Sequence, residues 1–258
     1  MNSLLGRLGA KLARKLAAPR HEHGTGSVTP VSRLAKLLHP GDILLVEGTS
    51  RVSSAIKFLT QSSWSHAALY VGEHVAAAGG KPEHRFVEAD MLEGVRSVGL
   101  AAFAGLQWRI CRPVGLNSRD VRELTAYCIA RIGHRYDLRN VIDLARYLIP
   151  TPPVPLRWRR RMISLGSGDP TRAICSTLIA KAFESIRYPI LPMVERVSVA
   201  TIDCPGCVAE LLHIRHHSLF TPRDFDMSPY FEVIKPTAVE FDFHALRWAQ
   251  PETGTFSG

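Results

Sequence analysis

The stretch from Leu38 to Gly72, LHPGDILLVEGTSRVSSAIKFLTQSSWSHAALYVG, decides the fold. Pro40 and Gly41 punctuate a turn, and Ile43-Leu44-Leu45-Val46 is a short apolar run closed by Glu47-Gly48, which predicts a buried strand. Between Ser50 and Thr60, Val52, Ala55, Ile56 and Leu59 recur at spacings of three and four, the period of a short helix. A polar patch, Gln61 to Ser65, leads into a second apolar run, Ala67 to Val71, closed by Gly72. His66 stands at the seam between that loop and a core strand, where a base is held rigidly yet faces solvent.

Beyond Gly72, strand residues around Val75 precede the loop Gly79-Gly80-Lys81-Pro82. Phe86-Val87-Glu88-Ala89, Gly94 to Val98 and Leu106 to Pro113 predict three more strands. Helices follow. Ser118 is a good N-cap for a helix with Val121, Leu124, Thr125, Cys128 and Ile132 on one face, and Gly133 lies just past its end. Val141, Leu144, Ala145 and Leu148 mark another, stopped by Pro150. A Pro- and Arg-rich stretch then delivers the chain to Thr171-Arg172-Ala173-Ile174-Cys175-Ser176. Cys175 sits in the first turn of a helix carried by Leu178, Ile179, Ala182, Phe183 and Ile186. A helix N-terminus supplies positive potential and unpaired amides, which lower a thiol's pKa and help stabilise an oxyanion. Farther on, Val208 to Leu212 reads as a packed helical turn, and Leu219 to Ile234 as turn, aromatic loop and edge strand.

A chain of 258 residues with 46% hydrophobic and 21% charged residues buries a real core and is not disordered. The net charge of +9 suits contact with an anionic surface. Nucleic acid is disfavoured as that surface. Much of the excess sits in the N-terminal segment and in Arg157 to Arg161, with no zinc-finger, aromatic-platform or recognition-helix signature beside either. Residues 1–18 set Leu8, Leu12 and Leu16 on one face among Arg7, Lys11, Arg14 and Lys15, a basic amphipathic helix suited to an anionic membrane or to its own domain. It is too short to span a bilayer and lacks the apolar core of a signal peptide, although an organellar presequence would look similar. The expected location is the cytoplasm, peripheral on a membrane through this helix.

A general base, an orienting polar group and a thiol at a helix start are the minimum for covalent acyl transfer, and His66, Glu88 and Cys175 supply them. Taken singly, each has a structural reading: a strand-end histidine, a core cysteine, a carboxylate paired with Arg85 or Arg96. Cys204, Cys207, His213 and His217 have zinc-ligand types, but the gap from Cys207 to His213 is short for a finger. No metal or cofactor is expected.

The segments GDILL, SSWSHAALYVG, VEA with GV soon after, GHRYD and ICSTLIAKAF resemble the permuted papain-like amidase and peptidase family, relatives of the NlpC-type cell-wall hydrolases. The resemblance spans roughly residues 39 to 235. It implies an α+β, circularly permuted papain-like (NlpC-type) fold, with an antiparallel sheet packed against helices that include the nucleophile helix. It further implies Cys175 as nucleophile, His66 as base and Glu88 as the residue that orients the imidazole. Tyr136 and Asp137 match a motif near the site. The chain departs from the pattern in having Ile174 where relatives often carry an aromatic, and in its insertion at 150–170, which is placed to form a lid or substrate wall.

The organisation expected is an N-terminal helix and linker (1–30), a catalytic domain (31–240) and a C-terminal tail (241–258). The function expected is thiol-dependent cleavage of an amide bond, in a peptide or cell-wall peptide, through an acyl-enzyme. Lecithin retinol acyltransferase is similar in its permuted arrangement, so a lipid-directed hydrolase or acyltransferase acting on acyl-lipid substrates is the alternative. A non-catalytic membrane-associated binding module is a third reading.

Overall fold

Ile43 to Val46 is apolar without interruption because the strand it forms is covered on both faces. Ile43 and Leu45 join one core cluster, while Leu44 and Val46 join another on the opposite side. The computed structural model describes residues 31–90, 93–135, 174–198 and 208–235. The expected N-terminal helix and linker, the motif residues Tyr136 and Asp137, the insertion at 150–170, Cys204, Cys207 and the tail at 241–258 all lie outside these residues.

The described residues form a mixed α+β structure around a six-stranded sheet. Its strands are β1 (Ile43–Glu47), β2 (His66–Tyr70), β3 (His84–Asp90), β4 (Gly94–Gly99), β5 (Gln107–Pro113) and β8 (Phe231–Ile234). They run in the order β4-β3-β2-β1-β5-β8 with every neighbouring pair antiparallel. Helix α1 (Val31–Leu37) covers one face with Leu34, aided by Leu38 and Phe103. On the other face pack α4 (Ser118–Ile129), α5 (Ile174–Ser185) and α6 (Pro222–Met227), through residues such as Leu124, Phe183 and Phe225. Between β1 and β2 runs α2 (Arg51–Thr60), capped by Ser50, whose side chain accepts the amide of Ser53 at 3.0 Å.

The Gly41-Asp42 turn is fixed by charge. Asp42, 1% exposed, accepts from the amide of His39 at 2.7 Å and from Nε and Nη2 of Arg112 at 2.9 and 2.8 Å. This fork ties the start of β1 to β5, so the aspartate is a structural anchor.

Three local expectations are corrected. The residues around Val75 form a short helix, α3 (His74–Ala77), because the Ala-rich run favours helix once Gly72 has turned the chain out of the sheet. The N-cap of α4 is Asn117 and not Ser118: Asn117 accepts the amides of Arg119 and Asp120, while Asp120 accepts the amide of Asn117, closing a capping box. Val208–His213 is a strand, β7, paired antiparallel with β6 (Met193–Ser198) in a separate two-stranded ribbon.

Candidate active site

Cys175 is the second residue of α5, and the helix is pinned to the sheet by its own apolar face. Leu178, Ile179, Ala182 and Phe183 are fully buried, and α5 packs against β2 and β3. Each large side chain in that set contributes about 1.5–3 kcal/mol by burial. The ring of Phe183 stands 5.3 Å from those of Tyr188 and Phe231, which locks the helix to the distal edge of the sheet. The thiol is therefore carried on a rigid element.

His66 begins β2, and the loop before it is clamped. The Ser65 amide donates to the carbonyl of Val46 at 3.1 Å, and Ser65 Oγ accepts the amide of Gly48 at 2.9 Å. A Cβ on Gly48 would press on the Ser53 hydroxyl, which would have to shift. Trp64 is fixed from the other side: its indole donates to Asp226 at 3.1 Å, and Asp226 also accepts Arg109 at 2.6 and 2.7 Å.

Alternation along the strands decides how the three residues meet. Ala67, Leu69, Val87 and Ala89 join the core beneath α5, whereas Ala68 and Phe86 belong to the opposite cluster. His66 and Glu88 thus project from the face away from α5. Cys175 reaches His66 around the end of β2. The β2–β3 register stops at Ala68↔Glu88, and the amide of Ala67, one residue beyond, donates to the Cys175 sulfur. The His66 side chain keeps 28% of its surface exposed, whereas Cys175 is buried.

The carboxylate of Glu88 divides its two oxygens. Oε2 accepts from Nε2 of His66 at 2.8 Å, and Oε1 accepts from Nε and Nη2 of Arg96 at 2.9 and 2.8 Å. Arg96 lies directly across from Glu88 on β4 and also meets Glu93 at 3.0 Å. Burial opposes the Glu88 charge, but His66 and Arg96 together hold its pKa at about 2, against an ordinary 4.5. An ionised carboxylate only accepts, so Nε2 of His66 carries hydrogen and Nδ1 is left for the thiol.

Burial works against both members of the Cys175–His66 pair, yet each shifts toward its charged form. Against burial, the charge and hydrogen bond of His66, the Ala67 amide and the Ser176 hydroxyl bring the Cys175 thiol below its ordinary 9.0. The charge and hydrogen bond of Cys175, then those of Glu88, lift His66 well above 6.5. The arrangement favours a thiolate–imidazolium pair. Cys111 and Cys128 behave differently: both are fully buried, burial pushes the first thiol far up and the second to about 12, and both are inert core groups.

Sequence reasoning set His66 at a strand start, Glu88 within a short strand and Cys175 in the first turn of a helix, where the structure has them, but left Arg96 as one of two possible partners of Glu88. It missed the Ala67 amide and the Trp64–Asp226–Arg109 cluster, for which only long-range register gives a signal. Among the described residues no group of three or more His, Cys, Asp or Glu is arranged to hold a metal ion, and no helix is long and apolar enough to cross a membrane. His213 and His217 meet Glu195 and Glu184 at 2.7 and 3.2 Å. No family model matches the chain, and no curated protein matches it.

Proposed function

We propose that this chain is a thiol-dependent hydrolase that cleaves an amide bond, in a peptide or cell-wall peptide, on a circularly permuted papain-like fold. The observation that carries the reading is the Cys175 thiol at the first turn of α5, shifted toward thiolate beside a His66 ring that Glu88 holds by Nε2. In the reaction Cys175 Sγ attacks the carbonyl carbon, and the imidazolium of His66 passes a proton from Nδ1 to the departing amine. A thioester remains on Cys175. Water then adds to it while His66 takes a proton, and the acid leaves as the thiolate re-forms. Glu88 keeps the ring oriented and its charge favourable throughout. The backbone amides in the first turn of α5 are the proposed donors to the oxyanion.

The test is intact-mass labelling with electrophilic acyl probes, peptide-like and lipid-like, on wild type and Cys175→Ala. Stoichiometric labelling by peptide-like probes that Cys175→Ala abolishes supports the reading. Labelling by lipid-like probes alone replaces amide cleavage with lipid-directed acyl transfer. Equal labelling of Cys175 and the core thiols removes catalysis altogether.

A further inference from the structure

Eleven large hydrophobic residues stand exposed among those described, and seven of them fall in one short region: Met193, Val194, Val208, Leu211, Leu212, Ile214 and Leu219. A patch of that kind marks an interaction surface. These residues form the β6–β7 ribbon and its exit, which stand apart from the six-stranded sheet. At its base a groove of about 340 Å³ runs between the C-terminal half of α5 and Leu212, lined by Ile190, Leu191, Ile214 and Phe220.

The ribbon's register decides what kind of partner fits. Val194 lies opposite Leu212, which places these two aliphatic side chains on one face. Glu195 lies opposite Leu211 and Met193 opposite His213, so Leu211 and Met193 occupy the other face. Val194 and Leu212 are 52% and 43% exposed, Met193 and Leu211 60% and 48%. Apolar side chains exposed on both faces suit a surface that surrounds the ribbon, as a lipid interface does. Charge points the same way. Within the ribbon, Glu210 pairs with Arg196 at 3.7 Å and Glu195 hydrogen-bonds to His213 at 2.7 Å. At the groove Arg187 and Arg215 stand against a single carboxylate, Glu184, which His217 engages. The Arg215 guanidinium lies 5.4 Å over the ring of Phe220, a cation backed by apolar surface.

We infer that the β6–β7 ribbon is a docking arm for an anionic phospholipid surface, its aliphatic side chains entering the headgroup boundary while Arg187 and Arg215 meet the phosphates. The residues that build this surface are other than Cys175, His66 and Glu88 and other than residues 1–18. Whether Cys175 acts on lipid or peptide has no bearing on it.

The experiment is co-sedimentation of the full chain with vesicles of phosphatidylcholine alone, or of phosphatidylcholine and phosphatidylglycerol in equal parts. The expected result is binding to the mixed vesicles only, weakening as salt rises. The pair Val194→Ser/Leu212→Ser lowers the partition coefficient about tenfold, and Arg187→Gln/Arg215→Gln flattens its salt dependence. Cys175→Ala binds as wild type. A Val194→Trp variant reports depth, because brominated lipid quenches its added fluorescence; a tryptophan left unquenched overturns the proposal. An unchanged Cys175 alkylation profile in each ribbon variant certifies the fold. Wild type that ignores mixed vesicles overturns the proposal. So does binding that survives both paired variants, which assigns it to residues 1–18. Ribbon variants that instead dissociate a dimer assign the patch to self-association and overturn it as well.

Discussion

Glu88 accepts from Nε2 of His66 at 2.8 Å while its other oxygen is clamped by the guanidinium of Arg96. The carboxylate is thus fixed by a second charge before it orients the imidazole. In Glu88→Gln the charge is lost and an amide N–H₂ must face either Arg96 or the ring, where only an acceptor fits. The raised pKa of His66 loses one of its supports. We expect the alkaline limb of the pH–rate profile to move down toward 6.5, the ordinary histidine value, and turnover of a reactive acyl probe to fall about a hundredfold. A profile identical to wild type would show that Glu88 has no hold on the ring.

His66 supports the Cys175 thiolate directly, so His66→Ala leaves burial opposed only by the Ala67 amide and the Ser176 hydroxyl. The alkylation rate of Cys175 in wild type should rise through a midpoint below 9.0 and hold level while His66 stays protonated. In His66→Ala the midpoint moves up, and alkylation near neutrality drops about tenfold or more. Cys175→Ala keeps the fold, because the helix is held by Leu178, Ile179, Ala182 and Phe183, yet loses acylation by a factor of about 10³ or more. Iodoacetamide kinetics across pH, read by intact mass, check all three expectations.

The same ion pair makes acid stability specific. The folded pKa of Glu88 is depressed to about 2 from an ordinary 4.5, so its stabilisation is complete above 4.5 and is lost as pH falls toward 2. A shift of that size corresponds to about 3 kcal/mol. Urea unfolding of wild type should lose roughly that much across this window beyond what other carboxylates contribute. Glu88→Gln should be less stable at neutral pH and show a correspondingly shallower slope. Equal slopes in the two proteins would remove Glu88 as the source.

How far the sequence carried the structure depends on whether a segment buries one face, two or none. Ile43 to Val46 and Ala67 to Val71 are buried on both sides, and their unbroken apolar runs, bounded by turns, were readable as strands. α5 buries one face, and the spacing of Leu178, Ala182 and Phe183 reported it. The β6–β7 ribbon buries neither face fully, so periodicity misled: Val208, Leu211 and Leu212 have helical spacing by chance of composition, while their backbone pairs with Met193–Ser198. The ends of elements were legible from chemistry, which is why His66 and Cys175 could be picked out. Arg85 sits at a register shift of β3 and meets Glu73 at 3.4 Å, while Arg96 lies directly across from Glu88, a choice that only the strand pairing makes. What no local pattern could supply is the end-on meeting of Cys175 with His66, because it depends on where β2–β3 pairing stops.

The turn that leads into β1 offers a test of structure apart from chemistry. Asp42 is a buried carboxylate with three donors, two of them from Arg112, which also donates to the carbonyl of Leu37 at 2.6 Å. Removing the guanidinium strands a charge that water cannot reach, whereas removing the carboxylate charge leaves an arginine that is 24% exposed and partly hydrated. The two variants should therefore be unequal. Arg112→Met should destabilise by about 3–5 kcal/mol, and Asp42→Asn by less, because its amide oxygen still accepts from Arg112. The double variant Asp42→Asn/Arg112→Met should recover part of the loss, since no unpaired charge remains. Thermal unfolding of the three variants at neutral pH measures this. If Arg112→Met cost no more than Asp42→Asn, the fork would be a surface ion pair in energetic terms and would not anchor β1 to β5.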